Sequence, residues 1–208
     1  MPIPVTTTTD LAGHLLCAVP QLEDPNFRRS VILMIEHNDE GAFGLVVNQV
    51  LPTSIREVLG SLGFTWTGEP EAQVRRGGPV EPIRGFVLHD IDGWDPLADE
   101  VVEGVYLTTS LEAVAASTEN EIGDRGGRLL FLLGYAGWGA GQLESEMAAG
   151  SWVAVPLYGV TSDIPGMSVA PGWFLQAEPD AMWGEALRST GIDPARVVAL
   201  SARRGFPT

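Results

Sequence analysis

Four glycines, at 134, 137, 139 and 141, follow the apolar run RLLFL and precede the helix-forming QLESEM. A glycine-rich link between a strand and a helix is where phosphate loops occur. Glycine lets backbone amides approach an anion, and the helix N-terminus faces it. The spacing here is Gly137-x-Gly139-x-Gly141 rather than G-x-G-x-x-G, and there is no lysine to complete a Walker loop. Arg128 lies at the far end of the strand, and Trp138 puts an indole in the middle of the loop. Glu144 and Glu146 already complement the helix dipole and would oppose a phosphate. The segment reads as a strained turn whose glycines permit close packing around Tyr135 and Trp138. A non-nucleotide ligand or a protein partner is the alternative use.

Other chemistry-bearing residues meet similar tests. GMSVA (166–170) half-matches a nucleophile elbow, but no strand precedes it. The three histidines, His14, His37 and His89, all lie upstream of its serine. Cys17 is the single cysteine. On a strand it points away from His14, and between Leu16 and Ala18 it reads as a small core residue. In HDIDGWD (89–95) the acids and glycine fall at the wrong places for an EF-hand, so the segment reads as a turn with solvated acids. No metal site and no cofactor are expected. Arg28–Arg29, Arg75–Arg76 and Arg84 supply five of the twelve arginines. If these groups met, they would form an anion pocket. In so acidic a chain, most are expected to pair with carboxylates.

The elements that must carry these residues follow from periodicity and punctuation. Strands are expected over 13–20, 30–37, 42–49, 72–78, 85–90, 103–109, 128–134 and 152–158. SVILMIEH (30–37) is apolar throughout, which suits a strand covered on both faces. NDEG (38–41) reads as a four-residue hairpin loop. Ser54 and Glu57 form a capping box for a helix with Ile55, Val58, Leu59 and Leu62 as its apolar stripe. Ser110 caps a second helix carrying Leu111, Val114 and Ala115. A third runs over 142–150 and stops at Gly150. The last runs over 179–191, between Pro179 and Gly191. PGMSVAPG (165–172) is the most loop-like interior stretch. Runs of strands with helices between some of them give an α+β (mixed α/β) class, with a mixed or antiparallel sheet.

The 208 residues suit one domain, 11–200, with a flexible segment at 1–10 and a tail at 201–208. A net charge of −15, with 27 acids and no lysine, opposes polyphosphates and nucleic acid. It also rules out lysine Schiff bases. MPIPVTTTTD lacks a secretory signal, and the stretch Leu129 to Leu143 is too short to span a bilayer. With one cysteine, a cytoplasmic location is expected.

Three blocks, DPNFRRSVILMIEHNDEGAFGLVVNQ, RRGGPVEPIRGFVLH and LGYAGWGAGQLESEM, together resemble the AlgH/YqgE family. They stand in the family's order, and GHLLCAVPQLEDP and TGIDP (190–194) flank them, so the likeness spans about 11–200. Ala140 stands where the family pattern is expected to carry proline. The resemblance implies a single compact domain with a bulged, barrel-like, mostly antiparallel sheet and helices packed outside. It implies no reaction and no transferable catalytic residues. The family's regulatory label implies a transcriptional regulator, but the charge argues against direct DNA contact. The expected function is a non-catalytic binding or regulatory module acting through a protein partner or small ligand. The alternative is an enzyme or small-molecule-binding protein using polar groups around Gly134–Gly141. The candidate surface comprises His37, Asn48, Arg76, Gly77, Gly78, Gly134, Tyr135, Gly137, Trp138, Gly139, Gln142 and Glu144.

Overall fold

Every residue of the first strand, β1 (His14–Ala18), is buried, because both of its faces are covered. Leu15 and Cys17 point into one hydrophobic cluster, and Leu16 and Ala18 into another. The same alternation runs along β2 (Val31–Asn38), with Val31 and Leu33 on one side and Ile32 and Met34 on the other. This computed structural model describes residues 10–110, 113–114, 127–157 and 169–195. Residues 1–9 of the flexible segment expected over 1–10, the tail 201–208 and the serine of GMSVA lie outside them. So does most of the helix expected after Ser110, although the Ser110 hydroxyl does accept from the Ala113 N–H.

The chain continues through β3 (Gly41–Val46), β4 (Val50–Ser54), α1 (Ile55–Ser61), β5 (Gln73–Arg76) and β6 (Val80–His89). Then come β7 (Asp99–Val102), β8 (Val105–Thr108), β9 (Leu129–Gly139), α2 (Gln142–Ala148), β10 (Trp152–Pro156) and α3 (Pro179–Ser189). The strands form one curled sheet in the order β10-β1-β2-β3-β9-β6-β8-β7, and β4–β5 branch onto β9. All pairings are antiparallel except β5 with β9. The result is a half-barrel of α+β class. α3 covers one face with Met182, Trp183, Ala186 and Leu187. α1 and α2 cover the other through Ile55 and Leu59, and through Leu143. Among the described residues no helix is long and apolar enough to cross a membrane.

The capping box forms as expected: the Ser54 hydroxyl accepts from Glu57 N–H, and the Glu57 carboxylate accepts from Ser54 N–H. Pro179 opens α3, and Gly191 follows its end with φ +80°. Leu62 leaves the expected stripe. It is the C-cap of α1 and 53% exposed. The β2–β3 hairpin loop is two residues, Asp39–Glu40, rather than four, because Asn38 pairs with Gly41. Strands β4 and β7 were not anticipated. Each pairs with one neighbour only, and such edges tolerate Pro52 and the acids Asp99 and Glu100.

The main correction concerns the glycine segment. LGYAGWG is the second half of strand β9, not a turn, and only Ala140–Gly141 turns before α2. Leu130 and Leu132 face the α3 side, with Phe131 opposite. Beyond Gly134 the parity inverts: Tyr135 faces the α3 side, and Ala136 and Trp138 face α2. A one-residue slip flips every later side chain. Gly134, at φ +73°, supplies that slip as a bulge in the left-handed region. Opposite it, β6 loops out over five residues between Val80 and Gly85, while β9 advances two, from Tyr135 to Leu133. Gly77 and Gly78 press against the same point. A Cβ on Gly77 would overlap the Gly134 carbonyl, and one on Gly78 the Tyr135 carbonyl. The glycines thus do permit close packing, but of backbone on backbone within a sheet.

A Cβ at Gly134 would lie 2.5 Å from the Gly78 oxygen and 3.0 Å from the Val80 oxygen. Gly134→Ala should therefore lower the unfolding free energy by about 3 kcal/mol, combining left-handed strain with overpacking. Gly139→Ala, with open space around its Cβ, should stay within about 0.5 kcal/mol in the same urea titration.

Candidate functional site

The candidate residues divide between two ends of β2. At one end, the loss of register between Met34 and Glu36 turns His37 toward α2, opposite Ala42. His37 Nδ1 accepts the Leu11 N–H at 3.1 Å, so Nε2 carries the proton and donates to Glu144 Oε1 at 3.1 Å. Trp138 lies beside this pair. It is 7% exposed, and its indole N–H donates to Glu146 Oε2 at 3.0 Å. Trp152 donates to the same oxygen at 2.8 Å, and Gln142 to Oε1 at 2.9 Å. Burial alone raises the Glu146 pKa. The hydrogen bonds from Trp152, Gln142 and Trp138 together outweigh it and bring the carboxyl below its ordinary range. Phe27 completes the aromatic cluster, 5.6 Å from the Trp152 ring.

At the other end, Asn48 Oδ1 accepts the Val31 N–H at 2.8 Å, and its amide donates to the Arg29 carbonyl at 2.9 Å. Val31 and His37 stand six residues apart on one strand, or roughly 20 Å. The two groups of candidates therefore do not meet. Asn48 holds Arg29 at φ +55°, a conformation non-glycine residues seldom adopt. Gln49 donates to the Asn26 carbonyl, and Arg76 donates to Asn26 Oδ1 at 2.7 Å. These bonds fix the 26–30 loop over a cavity of about 600 Å³. Arg28, Arg29, Arg76, Asn48, Asp180 and Trp183 are among its walls. Arg29 also lies over the Trp183 ring, 5.5 Å from its centre.

The expected pairing of arginines with carboxylates fails here. Among the eight described arginines only Arg84 and Arg128 have a carboxylate within 4 Å. Arg75 shares a sheet face with its partner Leu132, and its Nε and Nη1 are buried without a hydrogen-bond partner. Burial lowers its pKa, and Glu178 at the start of α3 works against that.

The remaining candidates are architectural. Tyr135 is on the α3 face, 5.1 Å from Phe43 and 6.1 Å from Phe86. Gly77, Gly78 and Gly134 form the backbone crossing, while Gly137 and Gly139 pair with Phe43 and Gly41 across the sheet. Cys17 is wholly buried, and burial pushes its thiol up to about 12, which removes it as a nucleophile. Among the described residues no three His, Cys, Asp or Glu side chains gather to hold a metal.

Sequence reasoning missed Glu146, Asp180, Trp183 and the role of Asp95. A helical acid five residues past the turn and two tryptophans flanking the helix were the available signals for Glu146. HDIDGWD is not simply a turn with solvated acids. Asp95 is buried and accepts from the Thr108 hydroxyl at 2.9 Å. His89 Nδ1 accepts the Ile91 N–H, so its Nε2–H donates to Thr108 at 3.2 Å. Asp90 binds Arg128 at 2.9 Å. Burial depresses the His89 pKa against the pull of Ile91, Asp95 and Asp90.

Two pH-dependent outcomes follow. Glu146→Ala leaves two buried indole N–H groups without an acceptor and should cost about 3 kcal/mol at pH 7. Because the folded pKa is depressed, the carboxylate's contribution is full above its ordinary range and declines as pH falls through the folded value. The gap between the two proteins in denaturant titrations should therefore narrow in acid. His89, by contrast, is favoured neutral, so the stability it confers is full above pH 6.5 and declines as pH falls towards its folded pKa. His89→Gln should flatten the fall in melting temperature between pH 7 and 5.5, as measured by calorimetry.

Comparison with known proteins places this architecture. A UPF0301 protein of Myxococcus xanthus is 44% identical over 191 residues, covering 91% of this chain and 96% of its own. A UPF0301 protein of Stenotrophomonas maltophilia is 46% identical over 158 residues, covering 74% of this chain and 81% of its own. The solution structure of the AlgH protein from Pseudomonas aeruginosa superposes with a TM-score of 0.64 at 29% identity, covering 99% of both chains. A crystal structure from Corynebacterium diphtheriae shares the fold at a TM-score of 0.60 and 21% identity, covering 90% of this chain and 91% of that one. The AlgH-like family profile matches residues 15–195, and with these relatives it shows that the chain belongs to the AlgH-like family.

Proposed function

We propose that this chain is a non-catalytic binding or regulatory module of the cytoplasm that recognises a small ligand. The observation that carries the reading is the cavity beside α3, where Arg28, Arg29 and Arg76 form no ion pair among the described residues. A cavity of about 600 Å³ is within the range of small-molecule sites. The surrounding loop is already held by Asn48, Gln49 and Arg76, so binding need not order it. The enzyme alternative loses support from dispersal. His37 and Glu144 bind each other at one end, Asn48 and Arg76 sit at the other, and Tyr135 packs on the opposite face. Catalysis needs such groups within reach of one reacting atom. A protein partner anchored on Trp138 loses support too, because that indole is buried and its N–H is taken by Glu146.

A thermal-shift screen of the full chain should find small anions that raise the melting temperature. At a ligand concentration of 100 Kd the gain should be about 2.7 kcal/mol. Arg76→Gln should remove it. Stabilisation by duplex DNA and by no small molecule would sink the reading.

A further inference from the structure

We infer that the cavity between the 26–30 loop, β4 and the start of α3 takes a small hydroxylated phosphate monoester, an inference that rests on reading the chain as a ligand-binding module. The charged side chains lining the cavity are Arg28, Arg29, Arg76 and Asp180, a local sum of three positives and one negative. A net +2 enclosure matches a phosphate monoester, which carries about −1.5 to −2 at pH 7. A monocarboxylate would leave positive charge uncompensated. A polyphosphate would bring more negative charge than the enclosure balances, into a chain of net −15.

The donors are placed for such a group. Arg28 and Arg29 come from the 26–30 loop and Arg76 from β5, so the arginines lining the cavity come from two independent elements. Planar guanidinium forks suit tetrahedral oxyanions, which accept on several faces at once. Arg76 bonds Asn26 through Nη2, and Asn48 fixes the carbonyl of Arg29, so the loop that carries two of the arginines is rigid before any ligand arrives. The Arg28 N–H donates to the Asp24 carbonyl, but its guanidinium has no ion pair or hydrogen bond among the described residues, so its charge is uncommitted.

The cavity is far larger than a phosphate group, so it has room for an organic portion. Val50, Leu51 and Trp183 give that portion an apolar wall, and the Asp180 carboxylate offers an acceptor for a hydroxyl group. The Trp183 N–H is already given to the Ala18 carbonyl at 2.7 Å, which locks the indole in place as part of that wall.

The test uses the full chain, with the Trp183 indole signal followed by NMR and affinities measured by calorimetry. The probes are glycerol 3-phosphate, inorganic phosphate, glycerol and succinate. Glycerol 3-phosphate should bind most tightly, inorganic phosphate should move the same signal, and glycerol alone should not. Affinity should fall as pH drops below about 6, where the phosphate loses its second charge. Arg28→Gln should weaken the phosphate ester about tenfold with an unchanged melting temperature, since Arg28 makes no contact the fold depends on. Arg29→Gln should weaken it by a similar factor, with a small loss of melting temperature because it also removes the guanidinium from the Trp183 ring. If succinate moves Trp183 and the phosphates do not, the ligand class is wrong while the binding-module reading stands. Phosphate binding that is indifferent to Arg28→Gln and Arg29→Gln overturns the site. If none of the four probes, nor a wider fragment library, moves the Trp183 signal, both the inference and the reading beneath it fall.

Discussion

The half-barrel depends on one place where backbone meets backbone with no side chain between. Gly77 and Gly78, leaving β5, press against Gly134 and Tyr135 of β9 at separations a Cβ would not allow. The Gly77 N–H donates to the Leu133 carbonyl, and the Gly77 carbonyl accepts from Val46, so three strands are tied at this crossing. Here β9 exchanges its faces. Below Gly134 its odd residues point toward α1, and above it toward α3. One bulge therefore puts Trp138 under α2 and Tyr135 among Phe43 and Phe86. The bulge in β2 does the complementary turn, swinging His37 onto the α2 face.

The polar groups divide into satisfied and unsatisfied sets. On the α2 side Glu146 accepts from two indoles and an amide, and His37 is bonded through both ring nitrogens. His89, Thr108 and Asp95 form a similarly closed chain. Groups whose capacity is used up within the fold stabilise it and leave nothing for a ligand. The arginines beside α3 are different. Among the described residues none of them forms an ion pair, and Asp180 offsets only one of their three charges, although the chain carries more than twice as many acids as bases. That contrast, rather than any motif, sets the cavity apart.

Much of the secondary structure was legible in the residues. The double-sided burial of β2 followed from its unbroken apolar run, the start of α1 from Ser54 and Glu57, and the ends of α3 from Pro179 and Gly191. Each of these signals acts between neighbours. The second half of β9 was not legible as a strand, because four glycines within eight residues ordinarily mark a loop. They belong to a strand here because Gly77 and Gly78, more than fifty positions away, need their partners to lack side chains. The dispersal of the candidate residues was illegible for the same reason. Neighbourhood in sequence put Tyr135 with Trp138, whereas the pleat and the bulge set them on opposite faces.

The amino-acid sequence by itself determined the α+β class, the starts of α1 and α3, the family and the anionic character. These depend on composition, on periodicity and on contacts within a few residues. Only the tertiary structure decided that the glycine segment is a strand, that His37 meets Glu144, and that arginines from two distant segments share one cavity. Those outcomes hang on where two bulges shift register. A bulge becomes favourable only once the opposing backbone is in place to fill the space that it opens.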